Sequence, residues 1–233
     1  MPPRDEPGES ALRAQMIEVG RRLRARGLIA GAEGNLTARL GPGRLLCTPA
    51  GTNKGFLREE DLVVVDLAGR PIAEGSNGAH PRASSELLLH LACYAERPDC
   101  AAVVHAHPPH AVALTLAGEA LLSCMPEAVT ALGEVPTARY ATPGGPLVAE
   151  AARGYLRVAR CLLLERHGAL ALGFSGGAEP ALFEACDRME MLEGVARVQL
   201  LAGLRGKVTA LPEEELRTLA TPRSFAPRGA GED

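Results

Sequence analysis

The chain contains no tryptophan, and its three tyrosines and four phenylalanines make aromatics only 3% of its 233 residues. Surfaces that stack on nucleobases need such rings, so single-stranded nucleic acid is an unsuitable partner. A surplus of positive charge is also missing. The 25 lysines and arginines stand against 28 aspartates and glutamates, a formal net charge of −3, and nothing here would drive binding to a polyanion. The six cysteines, at positions 47, 93, 100, 124, 161 and 186, never form a C-x-x-C pair, which excludes a zinc ribbon and a thioredoxin-type motif. They read as small core residues in a reducing compartment. No stretch suits a bilayer either. The longest run without Asp, Glu, Lys or Arg, residues 100–118, holds three histidines and the Pro108-Pro109 pair, which would put polar rings in lipid and break the helix. The N-terminal segment carries early acidic residues and no apolar signal, so a cytoplasmic location is expected. Walker and G-x-G-x-x-G loops are absent as well.

What is present is an ordinary soluble balance, 46% apolar and 23% charged, enough to bury a sizeable core. Neither a linker nor a repeat interrupts residues 9–220, which read as a single domain; residues 1–8 and 221–233, rich in proline, glycine and charge, read as flexible tails. Apolar Leu12, Met16, Val19, Leu23 and Leu28 recur at near-helical spacing and predict an opening helix, with Ser10 as a plausible cap. Strands are expected at 44–48, 62–67, 101–107 and 161–165, with 169–173 as a possible continuation of the last. Helices are expected at 84–95, 109–117, 146–159 and 179–201, with Pro180 in a first turn. Such alternation predicts an α/β domain with helices covering a central sheet.

Within Val103-Val104-His105-Ala106-His107-Pro108, two imidazoles at i and i+2 of a strand point to one face, the geometry two ligands of one metal require. His167, at the end of another expected strand, would complete a three-histidine site with an open position. The same spacing also fits two unrelated solvent-facing or core histidines. Ser84, Ser85 and Glu86 open a helix, where free N–H groups favour an anion. Glu86 is there either a first-turn glutamate or a general base beside the metal, and His90, one turn on, faces the core or orients Glu86. The glycine-rich segments 31–37 and 48–55, with Gly34, Asn35, Gly51 and Lys54, read as turns or as backbone nests for a phosphate. Gly173-Phe174-Ser175-Gly176-Gly177 has the G-x-S-x-G pattern of a hydrolase elbow, but no histidine follows it, so it reads as a turn.

The ordered set Gly34-Asn35, Thr48-Pro49-x-Gly51, Ser84-Ser85-Glu86, His105-x-His107-Pro108 and Arg166-His167-Gly168 resembles the class II aldolase/adducin family over residues 10 to 205. The resemblance implies a three-layer α/β/α fold with a largely antiparallel central sheet, and a homotetramer with sites at subunit interfaces. It implies Zn2+ held by His105, His107 and His167, with Glu86 as the acid/base and a ligand when substrate is absent. A tyrosine matching Tyr140 would come from a neighbouring subunit; as a bare residue it reads as a core or interface tyrosine. The expected reaction is cleavage of a small ketose 1-phosphate of the fuculose type into dihydroxyacetone phosphate and an aldehyde. Glu86 favours this over family epimerases, which carry aspartate there. A methylthioribulose-1-phosphate dehydratase-type lyase shares the metal site and the glutamate, and a non-catalytic adducin-like module shares the fold. Ala32 and Ala50 replace polar residues of the family pattern, each removing about 1 kcal/mol of hydrogen bonding to a phosphate, which Lys54 would offset. The C-terminal tyrosine of some members is missing, and Phe225 cannot donate a proton.

Overall fold

A computed structural model describes residues 8–72, 82–177 and 179–220. Its sheet has seven strands, β1 (Asn35–Arg39), β2 (Arg44–Cys47), β3 (Val63–Asp66), β4 (Cys100–Ala106), β5 (Thr137–Ala138), β6 (Cys161–Leu164) and β7 (Gly168–Phe174). They lie in the order β3-β2-β1-β4-β7-β6-β5. All neighbours run antiparallel except β5 and β6, so the sheet is mixed and mostly antiparallel. Among the described residues seven α-helices accompany it: α1 (Glu9–Ala25), α2 (Leu87–Glu96), α3 (Pro109–Ala117), α4 (Pro126–Leu132), α5 (Pro146–Leu156), α6 (Ala181–Gly203) and α7 (Glu213–Ala220).

Period-two alternation splits the strands between two cores. Ala102, Val104 and Ala106 of β4, with Ala169 and Ala171 of β7, pack against α1, α3, α4 and α6. Val103, with Leu162, Leu164, Leu170 and Leu172, faces α2 and α5 on the opposite side. Both faces are therefore covered, which gives the α/β/α layering. The long helix α6 buries Leu182, Cys186, Met189, Leu192 and Ala196 at three- and four-residue spacing. At its far end Gln199 accepts from the Leu122 N–H at 2.8 Å and donates to the Ala120 carbonyl at 2.9 Å, which pins the α3–α4 connection. Among the described residues, no helix is long and apolar enough to cross a membrane.

Several local expectations change. Residues 35–37, read as part of the glycine-rich segment 31–37, belong to strand β1. Residues 169–173 do not prolong the preceding strand, because the turn at Glu165–His167 folds β7 back antiparallel on β6. Gly8, not Ser10, occupies the N-cap of α1, so Ser10 lies inside the first turn. Helix α2 begins at Leu87 with Glu86 at its N-cap, α5 stops at Leu156, and Pro180 is the extended N-cap of α6 rather than a first-turn residue. Phe225 and the two expected tails, apart from Gly8, lie outside the described residues.

Candidate metal centre and substrate pocket

The end of β4 supplies two of the site's side chains. His105 shares the Val103 face and is fully buried, and His107 follows one residue beyond the strand, its N–H donating to the Leu28 carbonyl at 2.9 Å. Strand β7 runs antiparallel beside β4, so its beginning meets the end of β4 and brings His167 to the same place. The turn before it is tight. Arg166 adopts φ 59°, a left-handed conformation rare outside glycine, and its N–H donates to the Thr115 hydroxyl at 3.0 Å. Gly168 has to be glycine: a Cβ there would stand 2.4 Å from the Ala106 carbonyl oxygen and 2.9 to 3.0 Å from the rings of His107 and His105. Gly34 serves the other side of β4, with φ +71° and the His105 carbonyl 2.8 Å from where a Cβ would be.

Glu86 enters from the N-cap of α2. Its Oε2 lies 3.1 Å from His105 Nε2 and accepts from Asn35 Nδ2 at 3.0 Å, while Oε1 lies 3.1 Å from His167 Nε2 without an aligned hydrogen bond. His107 Nε2 is 3.2 Å from His105 Nε2. One ligand atom from each of Glu86, His105, His107 and His167 falls within 4.8 Å of all the others. The ring centroids are 4.8 to 5.0 Å apart.

This donor set fits a divalent cation. His105 Nδ1 faces the Ala169 carbonyl at 2.9 Å, a pure acceptor, so Nδ1 carries a proton and Nε2 is the ring nitrogen turned toward Glu86 and His107. Lone pairs converging on a carboxylate repel one another unless a cation or extra protons lie between them. Burial acts to raise the Glu86 carboxyl, but the adjacent ring nitrogens of His105 and His167 hold it far below the usual carboxylate range. Burial, then the charges of His105 and His167, push His107 down to about 4, so its ring is neutral and free to donate a lone pair near pH 7. Three imidazoles and one carboxylate are a donor set that zinc and neighbouring first-row ions accept.

A pocket of about 130 Å³ opens beside Glu86. Its lining includes Gly34 and Asn35 from the first glycine-rich segment, Gly51 and Lys54 from the second, and Ser84 and Ser85 from the start of α2. All the residues predicted to hold substrate therefore meet in one place, next to the cluster predicted to hold metal. Lys54 is buried and donates to the Ala32 carbonyl at 2.5 Å; burial lowers its pKa against the opposing pull of Glu33 and Glu86. Ala32 and Ala50 also line the pocket.

Tyr140 is not in the cluster or the pocket. It is 56% exposed after β5, its N–H donates to Glu165 Oε2 at 2.9 Å, and its neighbours Arg139 and Ala141 line a narrow recess with His167. His90 is fully buried and faces Thr37, whose hydroxyl lies 2.8 Å from His90 Nδ1 and 2.9 Å from the Tyr94 hydroxyl. Burial, with His105 adding to it, pushes His90 down to about 3. Asn35 and Thr37, two apart on β1, thus grip Glu86 and His90, one turn apart on α2. Sequence reasoning overlooked Thr37, although its place two residues after Asn35 puts it on the same strand face. It also overlooked Glu33, a lining residue of the pocket whose carboxylate accepts from the Ala30 and Gly31 N–H groups. Ser175, the apparent nucleophile, sits in an exposed turn with its hydroxyl 3.3 Å from the Asp99 carbonyl.

Comparison with known proteins adds to this geometry. Residues 14–200 match the family described as Class II Aldolase and Adducin N-terminal domain. A 3-oxo-tetronate 4-phosphate decarboxylase of Haemophilus influenzae is 32% identical over 210 residues, covering 88% of this chain and 93% of that protein. A methylthioribulose-1-phosphate dehydratase of Gluconobacter oxydans is 31% identical over 214 residues, covering 84% and 94% respectively. The crystal structure of L-fuculose-1-phosphate aldolase from Thermus thermophilus is similar with a TM-score of 0.73 and 36% identity, covering 86% of this chain and 98% of that one.

Proposed function

The chain belongs to the class II aldolase/adducin family, and on that premise we propose that it is a metal-dependent lyase acting on a small phosphorylated ketose, releasing dihydroxyacetone phosphate. The observation that carries this reading is the convergence of Glu86, His105, His107 and His167 within 4.8 Å, beside a pocket holding a buried lysine and two serines. A divalent ion there, zinc by the chemistry of the donors, would act as a Lewis acid on the substrate's carbonyl and neighbouring hydroxyl, stabilising the enediolate that remains when the adjacent bond breaks.

His105, His107 and His167 hold the ion in this reading, and the Ala169 carbonyl keeps His105 in the required tautomer. Glu86 moves the proton at the enediolate carbon. Asn35 orients the carboxylate through its 3.0 Å hydrogen bond to Oε2, leaving Oε1 without an aligned donor and available for that proton. The phosphate lies among Gly51, Ser84 and Ser85, with Lys54 supplying charge. Gly34 gives the backbone close approach. In aldol cleavage a second group must take the proton of the hydroxyl that becomes the aldehyde, and Tyr140 has that role. Its exposure on one chain suits delivery to a neighbouring subunit of a homotetramer.

The decarboxylase relative supplies a second reaction that the motifs do not suggest. Loss of CO2 from 3-oxo-tetronate 4-phosphate leaves the same enediolate of dihydroxyacetone phosphate, and it requires no aldehyde-side base. Tyr140 stands outside the cluster of its own chain, so this second reaction is the one that needs no contribution from a neighbouring subunit. Purified protein offered a panel of ketose 1-phosphates and 3-oxo-tetronate 4-phosphate, with and without chelator, tests the proposal. Chelator-sensitive release of dihydroxyacetone phosphate is expected, with an aldehyde or CO2 identifying the leaving fragment. Dehydration of methylthioribulose 1-phosphate without carbon–carbon cleavage would move the assignment to the dehydratase reaction, and a metal-free inert protein would leave a binding module.

A further inference from the structure

Glu33 stands in the loop between α1 and β1, flanked by Gly31 and Gly34, and is one of the residues that line the pocket with Ser84 and Ser85. Its Oε2 accepts from the Gly31 N–H at 2.7 Å, and its Oε1 accepts from the Ala30 N–H. Those two successive donors are the backbone nest that a glycine-rich loop would otherwise present to a substrate anion. Here the chain's own carboxylate fills it. Burial acts to raise the Glu33 carboxyl, but the backbone donors, with His107 adding to them, hold it below its ordinary value and therefore ionised at neutral pH. Gly51, Lys54, Ser84 and Ser85 remain in the lining as donors for a substrate anion.

The charge inventory of the pocket follows. Among the described residues that line it, Lys54 is the one cation, and it faces two carboxylates, Glu33 and Glu86. A phosphate monoester carries close to two negative charges near pH 7. With the metal engaged by the substrate's carbonyl and hydroxyl and Lys54 by its phosphate, a further carboxylate on the ligand would meet Glu33 and Glu86 in the lining but no other cation, and like-charge contacts in a part-desolvated site are strongly disfavoured.

We propose that Glu33 is a specificity-determining residue that selects by charge, admitting phosphorylated polyol ketoses and disfavouring phosphorylated sugar acids. The inference rests on the reading of this pocket as the phosphate site. It favours aldol cleavage over decarboxylation for this chain, although a relative covering most of the chain bears a decarboxylase name.

Two small probes test it, 2-hydroxyethyl phosphate and 2-phosphoglycolate, which differ in bearing CH2OH or a carboxylate. Their dissociation constants are measured by calorimetry on the full-length, metal-loaded protein. The carboxylate has its own affinity for a metal, so the readout is the change in the ratio of the two constants between variants. Glu33→Gln is expected to shift that ratio at least tenfold toward 2-phosphoglycolate, and Glu33→Asp, which keeps the charge, to shift it less than threefold. A ratio unchanged in Glu33→Gln, with 2-hydroxyethyl phosphate still bound, overturns the proposal. Should Glu33→Gln fail to fold, Lys54→Met reads the same field by removing the lining cation that interacts with Glu33. Discrimination against 2-phosphoglycolate should then rise at least tenfold, and no rise counts against the proposal. If wild-type protein binds no 2-hydroxyethyl phosphate at millimolar concentration, the phosphate reading itself fails and the selectivity falls with it.

Discussion

Replacing Gly168 with alanine perturbs the candidate metal centre without removing a ligand. The added Cβ would stand 2.4 Å from the Ala106 carbonyl oxygen, against a practical minimum near 3.0 Å, so the start of β7 must move away from β4 by about 0.6 Å or more. The obstacle is backbone, which cannot rotate aside as a side chain would. The same Cβ presses on His107 Cδ2 at 2.9 Å and His105 Cε1 at 3.0 Å, so both rings tilt from their shared focus. Overpacking of this kind costs about 1–3 kcal/mol. In a chain of this length that corresponds to a melting temperature lower by about 2–12 °C in chelator-stripped protein. Displaced ring orientations should weaken metal binding by about 10–100-fold, as loss of supporting contacts around ligands does elsewhere. Competition with a chromogenic chelator gives the affinity, and differential scanning calorimetry of the stripped protein gives the stability. Wild-type values for both would refute the claim that close β4–β7 approach sets the geometry of the cluster.

Other consequences separate the roles of individual residues. Glu86→Gln should retain about one metal per chain by elemental analysis while losing turnover, whereas His107→Ala should lose both; an active Glu86→Gln protein would sink the proposed base. Thr37→Val keeps the shape but strands His90 Nδ1 and the Tyr94 hydroxyl in the core, and should destabilise the fold by about 2–4 kcal/mol in urea titrations. A loss under about 0.5 kcal/mol would contradict the clamp between β1 and α2. His90 has a folded-state pKa of about 3 against an ordinary 6.5, so between those values the unfolded chain binds the extra proton. Its contribution to stability is therefore complete above pH 6.5 and is lost on acidification, at up to about 1.4 kcal/mol per pH unit. The urea midpoint of stripped protein should fall from pH 7 to pH 5 and fall less in His90→Gln; a midpoint that rises on acidification would reverse the assigned sign.

Much of the architecture was legible because most elements obey a simple period. Met16, Val19 and Leu23 mark α1, and the apolar run at 161–164 marks β6. Strand β1 escaped notice for a functional reason. Its inward positions on the α2 side are Asn35 and Thr37, polar residues buried to hold Glu86 and His90, so the usual apolar alternation is visible only in Leu36 and Ala38. Strand β5 has two residues, too few for any pattern. The Glu165–His167 turn was hidden because the residue with φ 59° is arginine, where glycine or asparagine would have signalled a reversal. At the site, residue identity and order pointed to the ligands and the pocket lining. The use of Glu33 to fill its own loop's donors depends on side-chain direction, which spacing does not encode. Ser175 shows the converse, a motif without the surroundings that would give it chemistry.

The central claim is that Glu86, His105, His107 and His167 form one divalent metal centre, and cobalt titration of chelator-stripped protein addresses it most directly. The account predicts one Co2+ bound per chain, with visible absorption bands of a low-coordinate nitrogen and oxygen site, and loss of both binding and bands in His107→Ala. Binding well below one equivalent, or an unaltered spectrum in His107→Ala, would contradict it.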